Sequence, residues 1–219
     1  MNLTERCKNY LMKQGYSKEV VENFLDCTVN IAIAIAQYAH RNQKRLNGDP
    51  YFYHCYNCLS LYREFVGIMD DDPFCVNIDL MYEIGIPFDG VQETCLLHDV
   101  LEDTDVTLDE ISETFADYGF ESYFNANVKR PLLAVTHDKK DDYDKYIEQV
   151  LQDDTAAMVK LMDLTDNSNL LTLDAFGGKE YERAHEYVRY FGMIEVVTRY
   201  IEKVRKYRDE RLTHARNDY

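Results

Sequence analysis

Leu96-Leu97-His98-Asp99-Val100-Leu101-Glu102-Asp103-Thr104 is the stretch from which the rest of this chain is read. On a helix turning about 100° per residue, His98, Glu102, Asp99 and Asp103 fall at about 0°, 40°, 100° and 140°, while Leu96, Val100, Leu97 and Leu101 fall between about 160° and 300°. The spacing predicts one apolar side facing a core and one side carrying an imidazole and three carboxylates. Carboxylates packed together repel and raise each other's pKa unless a cation or solvent intervenes. That side is therefore either a metal face or a solvated acidic face with one histidine on it.

Outward from this stretch, the chain has 219 residues and 46% hydrophobic content, which predicts a single domain over 1–219 with a real core. Its 24 Lys plus Arg against 40 Asp plus Glu leave a net charge of −16, which repels a polyanion and excludes general nucleic-acid binding. A small anionic substrate can still enter a locally basic pocket. Met1 to Cys7 holds no apolar run of a leader, and no segment approaches the ~20 apolar residues of a membrane span, so the expectation is a cytosolic protein without a membrane partner. The six cysteines read as reduced thiols. Cys55-Tyr56-Asn57-Cys58 stands beside His54 but has no second pair to complete a structural zinc site.

Helical signals run the length of the chain. Thr4 is positioned to cap a first helix that stops near Gly15, and Ser17 to cap a long second one from about Lys18 to Arg41, with Val21, Leu25, Val29, Ile33 and Ala36 in register. His40, Arg41, Lys44 and Arg45 then precede Gly48 and Pro50. This cationic patch is a phosphate contact or the complement of a helix dipole. A third helix carries His54, Leu59, Leu61 and Phe65 to Gly67; an acidic loop, Met69 to Pro73, and a helix of about Phe74 to Ile84 follow, and Asp89 is placed to cap the central helix.

Thr107 and Glu110 form a capping box for a helix ending near Gly119, Pro131 interrupts the next, and Asp141 or Asp142 starts one through Leu151. In Thr155 to Asn167, Lys160, Asp163 and Asn167 recur at i, i+3 and i+7 on an otherwise apolar helix, and a buried Asp there needs a partner. After Gly177 and Gly178 a last helix to about Arg211 carries Tyr187, Phe191, Ile194, Val197, Ile201 and Val204 as a stripe that is core or a homodimer contact. Sustained strand alternation is absent. The expected fold class is all-α, a bundle of roughly eight to ten helices.

Four ordered blocks carry a resemblance: Ala39-His40 with Gln43 and Arg45; Gly48, Pro50-Tyr51 and His54; Leu97 to Thr104; and Lys160-Leu161-Met162-Asp163 with Asn167. Between roughly Ile35 and Leu171 the chain resembles the hydrolase domain of the RelA/SpoT family, a branch of the HD phosphohydrolase superfamily. The resemblance implies a compact HD-type helical bundle, a manganese ion, and removal of pyrophosphate from the 3′ position of guanosine tetra- and pentaphosphate, here by a stand-alone hydrolase. It implies His54, His98, Asp99 and Asp163 as metal ligands. Glu102 and Asp103 become the acid pair for water activation and proton transfer, and Arg45 and Asn167 line the nucleotide pocket.

Two imidazoles with two carboxylates suit a first-row transition ion better than Mg²⁺, which prefers nearly all-oxygen octahedra. The chain departs from the family pattern at Cys55, where Pro commonly follows the first His, at Leu46, where Lys often stands, and at Leu164, where Arg usually follows the ligand Asp. Two alternatives stay open. One is the same chemistry on another nucleotide, such as a nucleoside triphosphate, a cyclic nucleotide or NADPH; the other is a non-catalytic nucleotide-binding module.

Overall fold

Five of the described helices begin where a side chain satisfies a free N–H group of the first turn. In the computed structural model, which describes residues 1–45, 47–67 and 87–168, Ser17 accepts from the Val20 amide (3.2 Å), and Thr107 and Glu110 form both halves of the expected capping box. Asp142 and Asp153 cap in the same way. The expected acidic loop and helix between 68 and 86, and the C-terminal helix with its core or dimer stripe, lie outside the described residues.

The elements are α1 (Leu3–Lys13), α2 (Lys18–Phe24), α3 (Thr28–Ala39), α4 (Phe52–Gly67), α5 (Val91–Leu97), α6 (Val100–Asp103), α7 (Leu108–Asp117) and α8 (Glu121–Tyr123). A π-helical turn (Phe124–Val128) leads into α9 (Lys129–Val135), followed by α10 (Tyr143–Val150) and α11 (Asp154–Asn167). The fold is all-α as expected; among the described residues the one extended pairing is an isolated bridge between Lys44 and Pro50. No helix among them is long and apolar enough to cross a membrane. α5 is the central rod: Val91, Thr94, Cys95, Leu96 and Leu97 are all buried, and it packs on α3, α4 and α11.

Tertiary contacts override four of the sequence expectations. α1 is capped by Asn2, whose side chain accepts from the Glu5 amide, because Thr4 is buried and donates to Asp117 at the end of α7. The helix expected over 18–41 breaks at Leu25–Cys27, where Cys27 is extended (φ −140°, ψ 159°) and the Thr28 hydroxyl donates to buried Glu93 on α5. That break shifts the register, so Ile31, Ala32, Ile35 and Ala36 face the core while Val29 and Ile33 are only partly buried. The central helix also breaks, at His98–Asp99, and its N-cap is Gly90 rather than Asp89.

Gly90 is where the central rod meets the π-turn. Pro131 lacks an N–H and its ring crowds the carbonyl four residues back, that of Asn127, so the chain widens just before it. The Asn127 carbonyl then lies so close to Gly90 that a Cβ there would sit 2.0 Å from its oxygen, and Gly90 itself has φ +77°. Its N–H donates to the Tyr123 hydroxyl at 3.0 Å.

Gly90→Ala therefore has both a backbone strain and a steric collision, whereas Gly119→Ala, at φ +81° with open space around it, has the strain alone. Urea unfolding is expected to show a loss for Gly90→Ala that exceeds about 1 kcal/mol and is clearly larger than for Gly119→Ala, as a shift of midpoint without a change of slope. Equal losses would show that the approach to Asn127 adjusts without cost.

Candidate metal centre

Three separate stretches deliver the residues. His54 stands in the first turn of α4, aimed by the chain before it: the Tyr51 amide donates to the Gln43 carbonyl (3.0 Å) and the Arg45 amide to the Asp49 carbonyl (2.8 Å), which brings 43–45 and 49–51 together. His98 and Asp99 occupy the break between α5 and α6, and Asp163 comes from the middle of α11. His54 Nε2 lies 3.2 Å from His98 Nε2, 3.1 Å from Asp163 Oδ1 and 3.4 Å from Asp99 Oδ2. His98 Nε2 is 3.1 Å from Asp99 Oδ2 and 3.8 Å from Asp163 Oδ1. Both imidazoles and Asp163 are buried.

In the neutral imidazoles the far nitrogen determines what the near one is. His98 Nδ1–H donates to the Cys95 carbonyl at 2.8 Å, the acceptor that a continuous helix would give to the amide of Asp99. His54 Nδ1–H donates to Asp166 Oδ2 at 2.7 Å. With the protons on Nδ1, two Nε2 lone pairs and two carboxylate oxygens face one another with no donor among them. Such a set repels itself until a cation enters. Separations of 3.1 to 3.8 Å match neighbouring ligands around an ion at ~2.1 Å from each. The donor set fits a divalent transition metal.

The charge field agrees. Burial disfavours charge on His54, but Cys58 and the Asp163, Asp166 and Asp99 carboxylates outweigh it and hold the imidazole well above its usual range. Burial opposes charge on His98 too, and Asp99 and Asp163 overcome it. Against their own burial, Asp99 is held far down chiefly by His98 and His54, and Asp163 by Lys160 and the two imidazoles. A positive charge is what this cluster takes up, whether protons or a metal ion.

The other residues picked out in the sequence divide between the centre and the groove beside it. Lys160 Nζ donates to Asp163 Oδ2 at 2.6 Å, and Asn167 Nδ2 to Asp163 Oδ1 at 2.5 Å. The Arg45 guanidinium pairs with Asp166. Glu102 and Asp103 line an open groove of about 490 Å³ together with Arg41, Gln43 and Lys139. Glu102 Oε2 accepts from the His137 amide (3.2 Å), Asp103 Oδ1 from Lys139 Nζ (3.0 Å), and the Asp103 carbonyl from Gln43 Nε2 (2.6 Å). Burial, then the Asp99 and Asp103 carboxylates, raise Glu102 despite the His137 amide.

Two contributors were not singled out in the sequence as site residues. The Tyr51 hydroxyl donates to Asp99 Oδ2 at 2.7 Å, and Asp166 engages His54. Cys55 and Cys58 also approach the imidazoles, Cys58 Sγ lying 4.0 Å from the His54 nitrogen that Asp166 already occupies. Burial pushes the Cys58 thiol up to about 11 and the Cys55 thiol well above its ordinary range, so neither is a ready thiolate.

No family model matches the chain. The mouse (Mus musculus) protein named guanosine-3′,5′-bis(diphosphate) 3′-pyrophosphohydrolase MESH1 is 30% identical over 170 residues, covering 74% of this chain and 80% of that protein. The guanosine-3′,5′-bis(diphosphate) 3′-pyrophosphohydrolase of Aquifex aeolicus is 29% identical over 140 residues, 64% of this chain and 17% of that one. A solved structure described as a metazoan ortholog of SpoT that hydrolyses ppGpp aligns with a TM-score of 0.47 and 24% identity, over 82% of this chain and 86% of its own.

If the four facing acceptors form a metal site, a divalent transition ion stabilises the folded state by mass action, about 2.7 kcal/mol at a hundredfold excess over Kd. Thermal unfolding is expected to move upward on adding Mn²⁺ and to return with chelator, and the His98→Ala variant is expected not to respond. An equal response in wild type and His98→Ala would place the ion elsewhere.

Proposed function

Because the chain belongs to the guanosine-3′,5′-bis(diphosphate) 3′-pyrophosphohydrolase family, we propose that it hydrolyses guanosine tetra- and pentaphosphate at the 3′ position, releasing pyrophosphate, as an Mn²⁺-dependent cytosolic enzyme. The observation that carries this proposal is the convergence of His54, His98, Asp99 and Asp163, with a groove nearby lined by the carboxylates of Glu102, Asp103 and Asp105. Held by those four residues, a divalent ion supplies positive charge to the phosphoryl group and acidifies water. The described cysteines are free thiols, which supports a reducing compartment.

This chain's own groups do the positioning and the proton work. Tyr51 orients Asp99, and Lys160 holds Oδ2 of Asp163 so that Oδ1 faces the imidazoles. Glu102, raised above the usual carboxylate range, is suited to take a proton from the attacking water and to return one to the departing oxygen, with its Oε2 fixed by the His137 amide. Asp103, held by Lys139, is the second acid of the pair. The anionic nucleotide lies in the groove past Gln43 and Arg41. Arg45, assigned by the motif to the nucleotide pocket, has its guanidinium on Asp166 and is left out of the proposed nucleotide contacts, whereas Asn167 donates to Asp163 and offers a nucleotide only its remaining donor.

Incubating the purified chain with Mn²⁺ and a panel of phosphorylated nucleotides tests the proposal; guanosine tetraphosphate is expected to yield GDP and pyrophosphate. Turnover of only a nucleoside triphosphate, a cyclic nucleotide or NADPH would keep the chemistry and replace the substrate. Asp99→Ala is expected to lose both the metal and the activity. Glu102→Gln is expected to keep the metal and lose ~10² to 10⁴ in rate. Equal loss of metal in both variants would contradict the division between ligand and proton carrier.

A further inference from the structure

α11 crosses the His54 ring with a carboxylate on each side. Asp163 and Asp166 are three residues apart, close to one helical turn and ~4.5 Å of rise, and the imidazole fits between them. Asp163 Oδ1 is 3.1 Å from Nε2, and Asp166 Oδ2 is 2.7 Å from Nδ1. Asp166 is 4% exposed, and both of its oxygens are engaged: Oδ2 by His54 and the Arg45 guanidinium, Oδ1 by Asn57 Nδ2 at 2.9 Å. None of the four sequence blocks assigns Asp166 a role, and the block that contains Arg45 assigns that residue to the nucleotide.

We propose that Asp166 is a positioning residue of the metal centre, which holds His54 with its Nε2 lone pair toward the other ligands, and that Arg45 acts through Asp166 rather than on the nucleotide. The inference rests on His54 being a metal ligand. A carboxylate on the distal nitrogen of a ligating histidine fixes its tautomer and ring orientation and raises its basicity. An unpaired buried carboxylate would be costly in this position, and Arg45 removes that cost.

Arg45 is well placed for the task. Its side chain is 15% exposed, and its backbone is pinned on both sides, by the Asp49 carbonyl accepting from its amide and by its own carbonyl accepting from Gly48. The pairing of 43–45 with 49–51 thus delivers the guanidinium to α11 and, a few residues later, His54 to the same spot. Asn57, one turn after His54 on α4, closes the remaining oxygen. Every hydrogen bond of the Asp166 carboxylate is to the His54 ring or to groups that hold Asp166 against it.

Mn²⁺ titration followed by electron paramagnetic resonance of the free ion reads the effect without substrate. Asp166→Ala is expected to weaken Mn²⁺ binding about 10- to 100-fold. Asp166→Asn, which keeps a carbonyl acceptor and the shape but not the charge, is expected to fall between it and wild type. Arg45→Ala is expected to weaken Mn²⁺ binding as well, and the double variant to bind no more weakly than Asp166→Ala alone, as coupled residues do. KM of Arg45→Ala at saturating Mn²⁺ is expected to be unchanged.

Wild-type Mn²⁺ affinity in the two Asp166 variants would overturn the proposal. So would an Arg45→Ala variant with intact Mn²⁺ affinity and a raised KM, which would return Arg45 to the nucleotide. If Asp166→Ala does not fold, Asp166→Asn alone decides. A wild type that binds Mn²⁺ but cleaves none of the nucleotides would refute the proposed activity and leave the titration result standing, whereas a wild type that binds no Mn²⁺ would overturn both.

Discussion

Two imidazole nitrogens with bare lone pairs, 3.2 Å apart and buried, are stable only if positive charge lies between or beside them. The structure around the centre can be understood as the means of keeping those lone pairs in place. Each ring is held from behind by a proton acceptor, the Cys95 carbonyl for His98 and the Asp166 carboxylate for His54. Each carboxylate that faces the rings has donors of its own, Tyr51 on Asp99 and both Lys160 and Asn167 on Asp163, which keep its position. Preorganisation of this kind costs folding stability through a local repulsion that an ion held there would relieve.

The helix breaks serve the same constraint. A continuous helix through 96–104 would set His98 and Asp99 about 100° apart on its rim, together with Glu102 and Asp103. Ending α5 at Leu97 lets the His98 imidazole take the Cys95 carbonyl, and it separates two functions. His98 and Asp99 turn inward to His54, while Glu102 and Asp103 remain on α6 along the groove. The rod that carries them is anchored at its other end by Gly90 against the Asn127 carbonyl, and at its flank by Glu93, which takes the Thr28 hydroxyl and so also marks the start of α3.

Much of this was legible in the sequence, and the parts that were not share a cause. His54, His98, Asp99 and Asp163 sit in ordered blocks of distinctive residues, and they converge although the chain between the first two is long. Ser17 and Thr107 act as caps because capping is local chemistry. The break at Leu25–Cys27 has no Gly or Pro to announce it, and the apolar period continues through it; only the Thr28 contact with Glu93 reveals the new start. Asp166 was passed over because Thr165-Asp166-Asn167 reads as the polar end of a helix. Its significance depends on which nitrogen of His54 it meets, which no one-dimensional pattern records.

The same geometry bears on how so acidic a protein could take the anionic nucleotide proposed for it. Around the centre stand Asp99, Asp163, Asp166, Glu102 and Asp103, and the cations engaged with them are Arg45, Lys160 and Lys139. With the carboxylates ionised and the imidazoles neutral, five negative charges against three positive leave an excess of two, and each of the three cations is already committed to a carboxylate. A divalent ion cancels that excess and restores an electrically neutral surface to a phosphoryl group, at a distance where screening by salt is weak. On these charges an ion held by the four residues would remove the repulsion that ionised carboxylates and neutral imidazoles offer an anion, as protons on the two imidazoles also would. Of the side-chain cations near the centre, Arg45, Lys160 and Lys139 hold its ligands and acids in place, while Arg41, whose guanidinium donates to the Tyr38 carbonyl, lines the groove itself.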